Sequence, residues 1–187
     1  QHHDMRFVTV EQFMKRYSVD AEQATRVEEL ATFFLEQFPM PADEDRINNV
    51  SLLGWAAKLH EIGLSISHNG YHKHSAYISA NADMPGFSKN DQARLSTLLI
   101  GHTGKLAKVY TSNNFVDWRM LFCLRLAFLL SRRRVTEELP EILVQQSANG
   151  FKVTISKKWI ENHPLTEFSL NKEADDWIKI GKEFLLD

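Results

Sequence analysis

Apolar residues recur at helical spacing through most of the chain. In "SVDAEQATRVEELATFFLEQF" they fall three and four positions apart, which predicts one buried helical face. That face consists of Val27, Leu30, Ala31, Phe34, Leu35 and Phe38. Ser18 and Asp20 precede it and are candidate N-caps, because their side-chain oxygens can accept hydrogen bonds from backbone N–H groups of the first turn.

The same spacing continues further along the chain. It predicts a helix that ends at Gly63, a short helix over "HSAYISANA" and a helix that Ser88 caps. A further helix is predicted from about Asn114 to Arg134. Residues 9 to 134 are therefore expected to form five or six packed helices.

After Pro140 the pattern changes to a partial alternation, which is typical of strands. "EILVQQSANGFKVTIS" carries Asn149-Gly150 between two strand-like runs, which predicts a β-hairpin because both positions of a tight turn need positive φ. "KKWIENHPLTEFSL" is expected to be a connecting stretch. "NKEADDWIKIGKEFLL" is expected to close the chain as an amphipathic helix with an inward face of Leu170, Ala174, Trp177, Ile178, Phe184 and Leu185.

The predicted fold class is mainly α, with an all-helical domain over residues 1–136 and a small α+β domain over residues 137–187. The 187 residues are 43% hydrophobic, enough for a buried core. The most apolar run, "MLFCLRLAFLL", contains Arg125 and is too short to span a bilayer. The single cysteine, Cys123, excludes a disulfide framework and favours a cytoplasmic protein, with peripheral membrane attachment left open.

Charge is unevenly distributed along the chain. Residues 51–135 hold 11 Lys and Arg against 4 Asp and Glu, a net charge of +7, whereas residues 1–50 and 136–187 carry −5 and −4. Five of the eight histidines also fall in the middle block. Such a block favours an anionic partner: phosphate, polyphosphate, a nucleotide or nucleic acid. The alternative is that helix surfaces simply differ in charge.

The candidate site centres on "LHEIGLSISHNGYHKHSAYI", residues 59–78. Four histidines, one lysine and one glutamate surround two glycines there, next to a polar loop through Asn69-Gly70. Arg and Lys side chains match phosphate oxygens well. Basic residues at helix ends also complement the helix dipole, which is the simpler interpretation. The candidate anion-binding residues are His68, His72, Lys73, His74, His102, Lys105, Lys108, Arg132, Arg133 and Arg134.

His60-Glu61 follows an apolar helix and resembles the His-Asp dyad of the HD phosphohydrolase superfamily. In that superfamily, His and Asp from several helices bind metals that activate a water. Here Gln23 or Ala24 stands where the first His is expected, and Phe128 stands where the last Asp is expected. We therefore expect no metal and no catalytic residue in this chain, and a structural role for His60 and Glu61 as a degenerate dyad.

Longer motifs carry a closer resemblance. "WAAKLHEIGLSISHNGYHKHSAYI", "LSTLLIGHTGKL", "LRLAFLLSRRR" and "WIENHPLTEFSLNKEADDWIKIGKEF" resemble the C-terminal half of the exopolyphosphatase and guanosine pentaphosphate phosphatase family. The resemblance implies an HD-like helical domain and a small second domain that hold polyphosphate or another phosphate polyanion, rather than nucleic acid, and that support a homodimer. It also implies that preceding actin-like domains carry the catalytic carboxylates, the phosphate-binding glycine loops and Mg²⁺. We therefore expect this chain to belong to a longer protein.

Four functions remain open at this point. The leading hypothesis is the C-terminal region of an exopolyphosphatase, a hydrolase that removes terminal phosphate from linear polyphosphate, with this part guiding the polyphosphate chain. The alternatives are the same region of a guanosine pentaphosphate 5′-phosphatase, a free-standing metal-dependent HD phosphohydrolase, and a plain scaffold and dimerisation module.

Overall fold

A computed structural model describes residues 4–110, 115–134 and 138–187. The first part of the chain is helical. Its elements are α1 (Met5–Arg16), α2 (Ala21–Glu36), α3 (Glu44–Leu59), a 3₁₀ turn (Ile62–Ser65), α4 (Tyr71–Asn81), α5 (Lys89–Gly101), α6 (Ala107–Tyr110) and α7 (Trp118–Leu130). Within the described ranges, no helix is both long and apolar enough to cross a bilayer.

Short polar side chains start most of these helices. The Asp20 carboxylate accepts from the backbone N–H groups of Glu22 and Gln23 and caps α2, as predicted, whereas Ser18 lies in the preceding turn with φ +53°. Ser88 caps α5. The helix predicted from Asn114 begins at Trp118, and Asn114 itself lies outside the described residues.

The C-terminal part contains β1 (Ile142–Ser147), β2 (Gly150–Ile155), α8 (Lys157–Glu161), α9 (Pro164–Ile178) and β3 (Glu183–Leu186). β1 and β2 form the predicted antiparallel hairpin, and β3 pairs parallel to β2, giving the order β1-β2-β3. The mainly α fold with a small α+β part is confirmed.

Two local predictions in this part were wrong. The expected connecting stretch is mostly helical, since it contains α8 and the start of α9. The expected closing helix stops at Ile178, because Gly181 adopts a left-handed conformation with φ +77° and turns the chain into β3. Ile178 is consequently 67% exposed, and Phe184 reaches the core from a strand rather than from a helix.

The hairpin turn also differs in detail from the prediction. Ser147 pairs with Gly150, so the two loop residues are Ala148 and Asn149, and neither Asn149 nor Gly150 has positive φ. Gly150 is required for a different reason. A Cβ at this position would lie 2.0 Å from the Glu183 carbonyl oxygen, so only glycine allows β3 to approach β2 here.

One continuous apolar core extends from the helices to the sheet. The Phe122 ring on α7 stacks on Phe151 of β2 with a centroid distance of 4.4 Å. Phe38 meets both rings edge-on, and Trp177 of α9 packs against the Phe151 ring at 5.6 Å. The predicted domain boundary between residues 136 and 137 lies outside the described residues, and the two-domain division stays a prediction.

A buried ion pair links α7 to α9 within this core. Arg125 donates two hydrogen bonds to the Glu173 carboxylate, at 2.6 and 2.9 Å, and two more to the carbonyl oxygens of Gly101 and Gly104. The Trp177 indole N–H donates to the same carboxylate at 2.9 Å. Both charged side chains are buried, so each one compensates the other for the hydration that it has lost.

We expect Glu173→Leu to lower the free energy of unfolding by about 3–5 kcal/mol, because it removes the carboxylate to which Arg125 donates two hydrogen bonds and leaves the more distant Asp176, at 3.7 Å, as the nearest described counter-ion. Denaturant titration measures this. The double variant Arg125→Met/Glu173→Leu is expected to lose less than the sum of the two single variants. As a control, Glu22→Leu removes an exposed carboxylate paired with Arg26 at 3.7 Å and is expected to cost under about 1 kcal/mol. Equal losses from Glu173→Leu and Glu22→Leu would contradict this account.

Candidate functional site

His60 lies directly after the end of α3 and is buried. Its Nδ1–H donates to the Ala57 carbonyl oxygen at 2.5 Å, which leaves Nε2 with a lone pair that can only accept a hydrogen bond. Within the described part of the chain, no donor reaches this buried Nε2. Burial lowers the pKa of His60, so the ring is neutral at physiological pH.

His102 is placed in the same way at the end of α5. Its Nδ1–H donates to the Leu99 carbonyl oxygen at 2.6 Å. The Nε2 is then an acceptor, and the Tyr71 hydroxyl donates to it at 3.0 Å. Burial, with a smaller effect of His60, lowers the pKa of His102 well below its usual value. The two imidazoles pack edge to face with their centroids 5.3 Å apart.

Phe128 on α7 packs against both histidines. Its ring centroid lies 5.6 Å from that of His60 and 5.0 Å from that of His102. Both contacts are edge-to-face, a favourable arrangement for aromatic rings. The position at which the HD resemblance places a metal-binding carboxylate therefore holds an apolar ring in contact with the two imidazoles.

The glutamate of the degenerate dyad, Glu61, is paired with an arginine. Glu61 accepts two hydrogen bonds from Arg134, at 2.7 and 3.1 Å, and Arg134 also donates to Asp20 at 3.1 Å. These bonds raise the pKa of the Arg134 guanidinium. Gln23, at the position of the expected first His, donates from its amide to the Ser131 carbonyl oxygen at 2.9 Å.

These side chains do not fit a divalent metal ion. The His60 Nε2 lone pair is the one feature that suits a metal, but His102 Nε2 is bonded to Tyr71 and Glu61 is bonded to Arg134. Among the residues that the structure describes, no group of three or more His, Cys, Asp or Glu side chains could hold a metal. A tight site needs three or four convergent ligands. His60 and Glu61 are instead part of a network that joins α2, α3 and α7.

A second group of polar residues lies beside this histidine pair. We call His72, Lys73, His74 and Lys108 the basic cluster; the first three lie in the first turn of α4 and Lys108 lies on α6. Burial, then Lys108, Lys73 and His74, lower the pKa of His72 to about 4. Burial, then Arg125 and Lys73, lower the pKa of Lys108 to about 8. Among the described residues, every charged group that shifts these two pKa values is a cation.

Comparison with known proteins places the chain among phosphatases. The model of the family described as "Ppx/GppA phosphatase, domain III" matches residues 5–174. A protein of Pseudoalteromonas translucida named "Guanosine-5'-triphosphate,3'-diphosphate pyrophosphatase" is 34% identical over 98% of this chain and 38% of its own length. One of the same name from Pseudoalteromonas atlantica is 32% identical over 97% of this chain and 37% of its own length.

This chain belongs to the Ppx/GppA phosphatase family. The match extends over the helical part and most of α9, so the family resemblance seen in the motifs is confirmed. The chain spans less than two fifths of the length of these two relatives.

The structure of this Ppx/GppA domain separates the ten predicted anion-binding residues. His72, Lys73, His74 and Lys108 come together, and α4 begins at Tyr71, so His72 lies in a helix rather than in the predicted loop. His102 is 1% exposed and faces inward, so it cannot contribute to a surface. Arg134 is bonded to Glu61 and Asp20, so its charge serves the fold.

The remaining candidates lie on the surface. His68 is exposed near Tyr71, Arg132 covers the Phe128 ring at 5.4 Å, and Lys105 and Arg133 are exposed. Sequence reasoning missed Tyr71, whose hydroxyl fixes His102 and whose pKa is raised by burial. Its position, one residue after Gly70 at the start of a helix, was the available signal.

Acidification should destabilise this fold through the buried histidines. The pKa values of His60 and His102 are lowered in the folded state, so below about pH 6.5 the unfolded chain binds more protons than the folded chain. The free energy of unfolding therefore decreases as the pH is lowered. Each such histidine contributes a slope of up to about 1.4 kcal/mol per pH unit. We expect His60→Gln and His102→Gln each to reduce this slope in denaturant titrations below pH 6.5. His68→Gln, at an exposed ring, is the control, and an unchanged slope in both buried variants would refute the assignment.

Proposed function

We propose that this chain is the part of a Ppx/GppA-family phosphatase that holds the phosphate groups of the substrate, and that hydrolysis takes place elsewhere in the protein. The basic cluster carries this proposal. Burial lowers the pKa values of His72 and Lys108 most, the neighbouring cations lower them further, and a bound phosphate would relieve that repulsion.

The start of α4 supports the same proposal. Positive charge in the first turn of a helix is unfavourable, because the helix dipole is positive at that end. α4 has Lys73 and two histidines there, of which His72 is neutral at physiological pH, no acidic residue in its first turn, and Gly70 as an N-cap without a side-chain hydrogen bond. A phosphate anion would interact favourably with both the dipole and the basic side chains.

For the substrate of the whole protein we propose guanosine pentaphosphate. The relatives are named as pyrophosphatases of guanosine 5′-triphosphate 3′-diphosphate, which supports this substrate at least as well as polyphosphate. Exopolyphosphatase is the second candidate. The family description covers exopolyphosphatases as well as guanosine pentaphosphate phosphatases. The exposed Arg132 also adds a positive charge to the surface outside the basic cluster. Turnover of the two substrates by the full-length protein separates these candidates.

A free-standing HD phosphohydrolase and a plain scaffold receive less support. The phosphohydrolase needs metal ligands, and Gln23, Glu61 and Phe128 have other partners. A plain scaffold accounts for Lys108, whose ammonium donates to the Thr103 carbonyl oxygen, but it assigns no role to His72, Lys73 and His74. Homodimerisation, polyphosphate binding and a cytoplasmic location stay predictions.

Removing two cations of the basic cluster should weaken binding of long-chain polyphosphate. We expect Lys73→Ala/Lys108→Ala to lower the affinity by about tenfold or more, since hydrogen bonds to charged groups contribute about 1.5–3 kcal/mol each. Calorimetric titration at low and high salt measures this, and the salt dependence should become shallower. Lys157→Ala/Lys158→Ala removes the same charge from the exposed surface of α8 and should leave binding unchanged. Equal polyphosphate affinities of the two double variants would contradict the proposal.

The same binding should depend on pH with a defined sign. Lys108 loses its charge as pH rises through about 8, so polyphosphate affinity should fall between neutral pH and pH values above 8. As pH falls from neutral toward the pKa of His72, about 4, that ring gains a proton and affinity should rise. Titrations of the protein and of Lys108→Gln across this range test the point. A high-pH decline that persists unchanged in Lys108→Gln would exclude Lys108 as its cause.

A further inference from the structure

A pocket of about 610 Å³ lies between the start of α7 and the hairpin turn, with Tyr110 at the end of α6 on its border. This volume is in the usual range for small-molecule sites. The residues that matter for its chemistry are Tyr110, Phe115, Trp118, Arg119, Gln146 and Lys182.

Four aromatic residues line the pocket: Tyr110, Phe115, Trp118 and the buried Phe151; two of these rings are open to solvent. Phe115 is 80% exposed and Tyr110 is 56% exposed. The Tyr110 and Trp118 rings lie 5.4 Å apart, and Trp118 is itself fixed against the buried Trp177 at 5.8 Å. A rigid aromatic wall next to exposed rings provides surfaces on which a planar heterocycle can stack.

Two cations lie beside these rings. The Lys182 ammonium is 5.0 Å from the Trp118 ring centroid, and within the described ranges it has no carboxylate partner. Arg119 is half-buried, and its guanidinium makes neither a hydrogen bond nor an ion pair with any described residue. The neighbouring carboxylate, Asp117, already accepts from the backbone N–H groups of Arg119 and Met120 as the N-cap of α7. The pocket therefore has positive charge available for a ligand.

We infer that this pocket binds a nucleotide. The base would stack on the exposed rings of Phe115 and Tyr110, the phosphates would pair with Arg119 and Lys182, and the Gln146 amide would be in place to hydrogen-bond the edge of the base. Stacking requires a flat heterocycle and the cations require an anion, and a nucleotide combines the two. The inference shares its ligand class with the proposed function, because guanosine pentaphosphate is itself a nucleotide, but it stands on different residues, since none of them belongs to the basic cluster.

The test uses GTP, guanosine and tripolyphosphate as probes of the 187-residue chain. The readout is the indole N–H resonance of Trp118, which is one of four tryptophans. GTP should shift this resonance strongly, whereas tripolyphosphate, which lacks a base, should shift it far less. Guanosine, which lacks the phosphates, should need a higher concentration than GTP for the same shift. A GTP titration that leaves Trp118 unmoved, or tripolyphosphate with the same effect as GTP, would overturn the inference.

Matched variants assign the contacts. Phe115→Ala and Lys182→Gln should each weaken GTP binding by about tenfold, in line with the usual effect of removing a stacking ring or a phosphate contact. Phe168→Ala truncates a ring on α9 that is 68% exposed and is not among the pocket residues, and Lys157→Gln removes a lysine from α8. These two controls should bind GTP as the unaltered chain does. Unchanged binding by Phe115→Ala would exclude stacking on this ring.

The same variants separate this inference from the proposed function. Phe115→Ala should bind long-chain polyphosphate normally, whereas Lys73→Ala/Lys108→Ala should retain the GTP-induced shift of Trp118. Loss of polyphosphate binding in Phe115→Ala would place both ligands in one site and contradict the assignment of two.

Discussion

The arrangement of this domain depends on the buried guanidinium of Arg125. It lies on α7 and binds the carbonyl oxygens of Gly101 and Gly104, where the chain leaves α5, as well as the Glu173 carboxylate on α9. A buried charge of this kind tolerates few substitutions around it, because each lost contact leaves an uncompensated group in the core. The end of α5, the following α6 and the C-terminal helix are thereby fixed relative to one helix. His102, Lys108 and Tyr110 all lie on the segment that Arg125 holds.

The histidine pair is held in place by hydrogen bonds within the protein. The His60 and His102 rings pack against each other, and each is oriented by an Nδ1–H bond to the carbonyl three residues earlier. Phe128 contacts both rings and Arg134 takes the Glu61 carboxylate, so the remaining polar groups bond to one another across helices. The proposed phosphate contacts lie outside this network, at the first turn of α4 and at Lys108 on α6.

Much of the fold could be predicted because its signals are local. Asp20 and Ser88 cap helices as expected, and the hairpin lies where Asn149 and Gly150 place it. β3 was missed because its pairing with β2 is set by a long-range contact, the approach of Glu183 to Gly150, which leaves no periodic signal in four residues.

The site was predicted in composition but not in arrangement. Residue types alone placed His102 and Arg134 with the anion-binding cations, yet burial and the Tyr71 hydroxyl keep His102 neutral and inward, and Glu61 binds Arg134. The packing of α4, α6 and α7 decides which basic residues lie close together. The spacing of residues along the sequence does not predict this packing. The departures from the HD pattern at Gln23 and Phe128, by contrast, could be read directly, because they concern residue identity and not packing.

The central claim is that the buried histidine pair is scaffold and the adjacent cations bind phosphate. Side-chain NMR of the histidine rings during a polyphosphate titration, repeated with Zn²⁺ present, tests it most directly. We predict that the His72 and His74 rings shift and that the pKa of His72 rises from about 4, while His60 and His102 keep neutral Nδ1–H tautomers throughout. Zn²⁺-induced shifts at His60 and His102, with no response of His72 to polyphosphate, would contradict the claim.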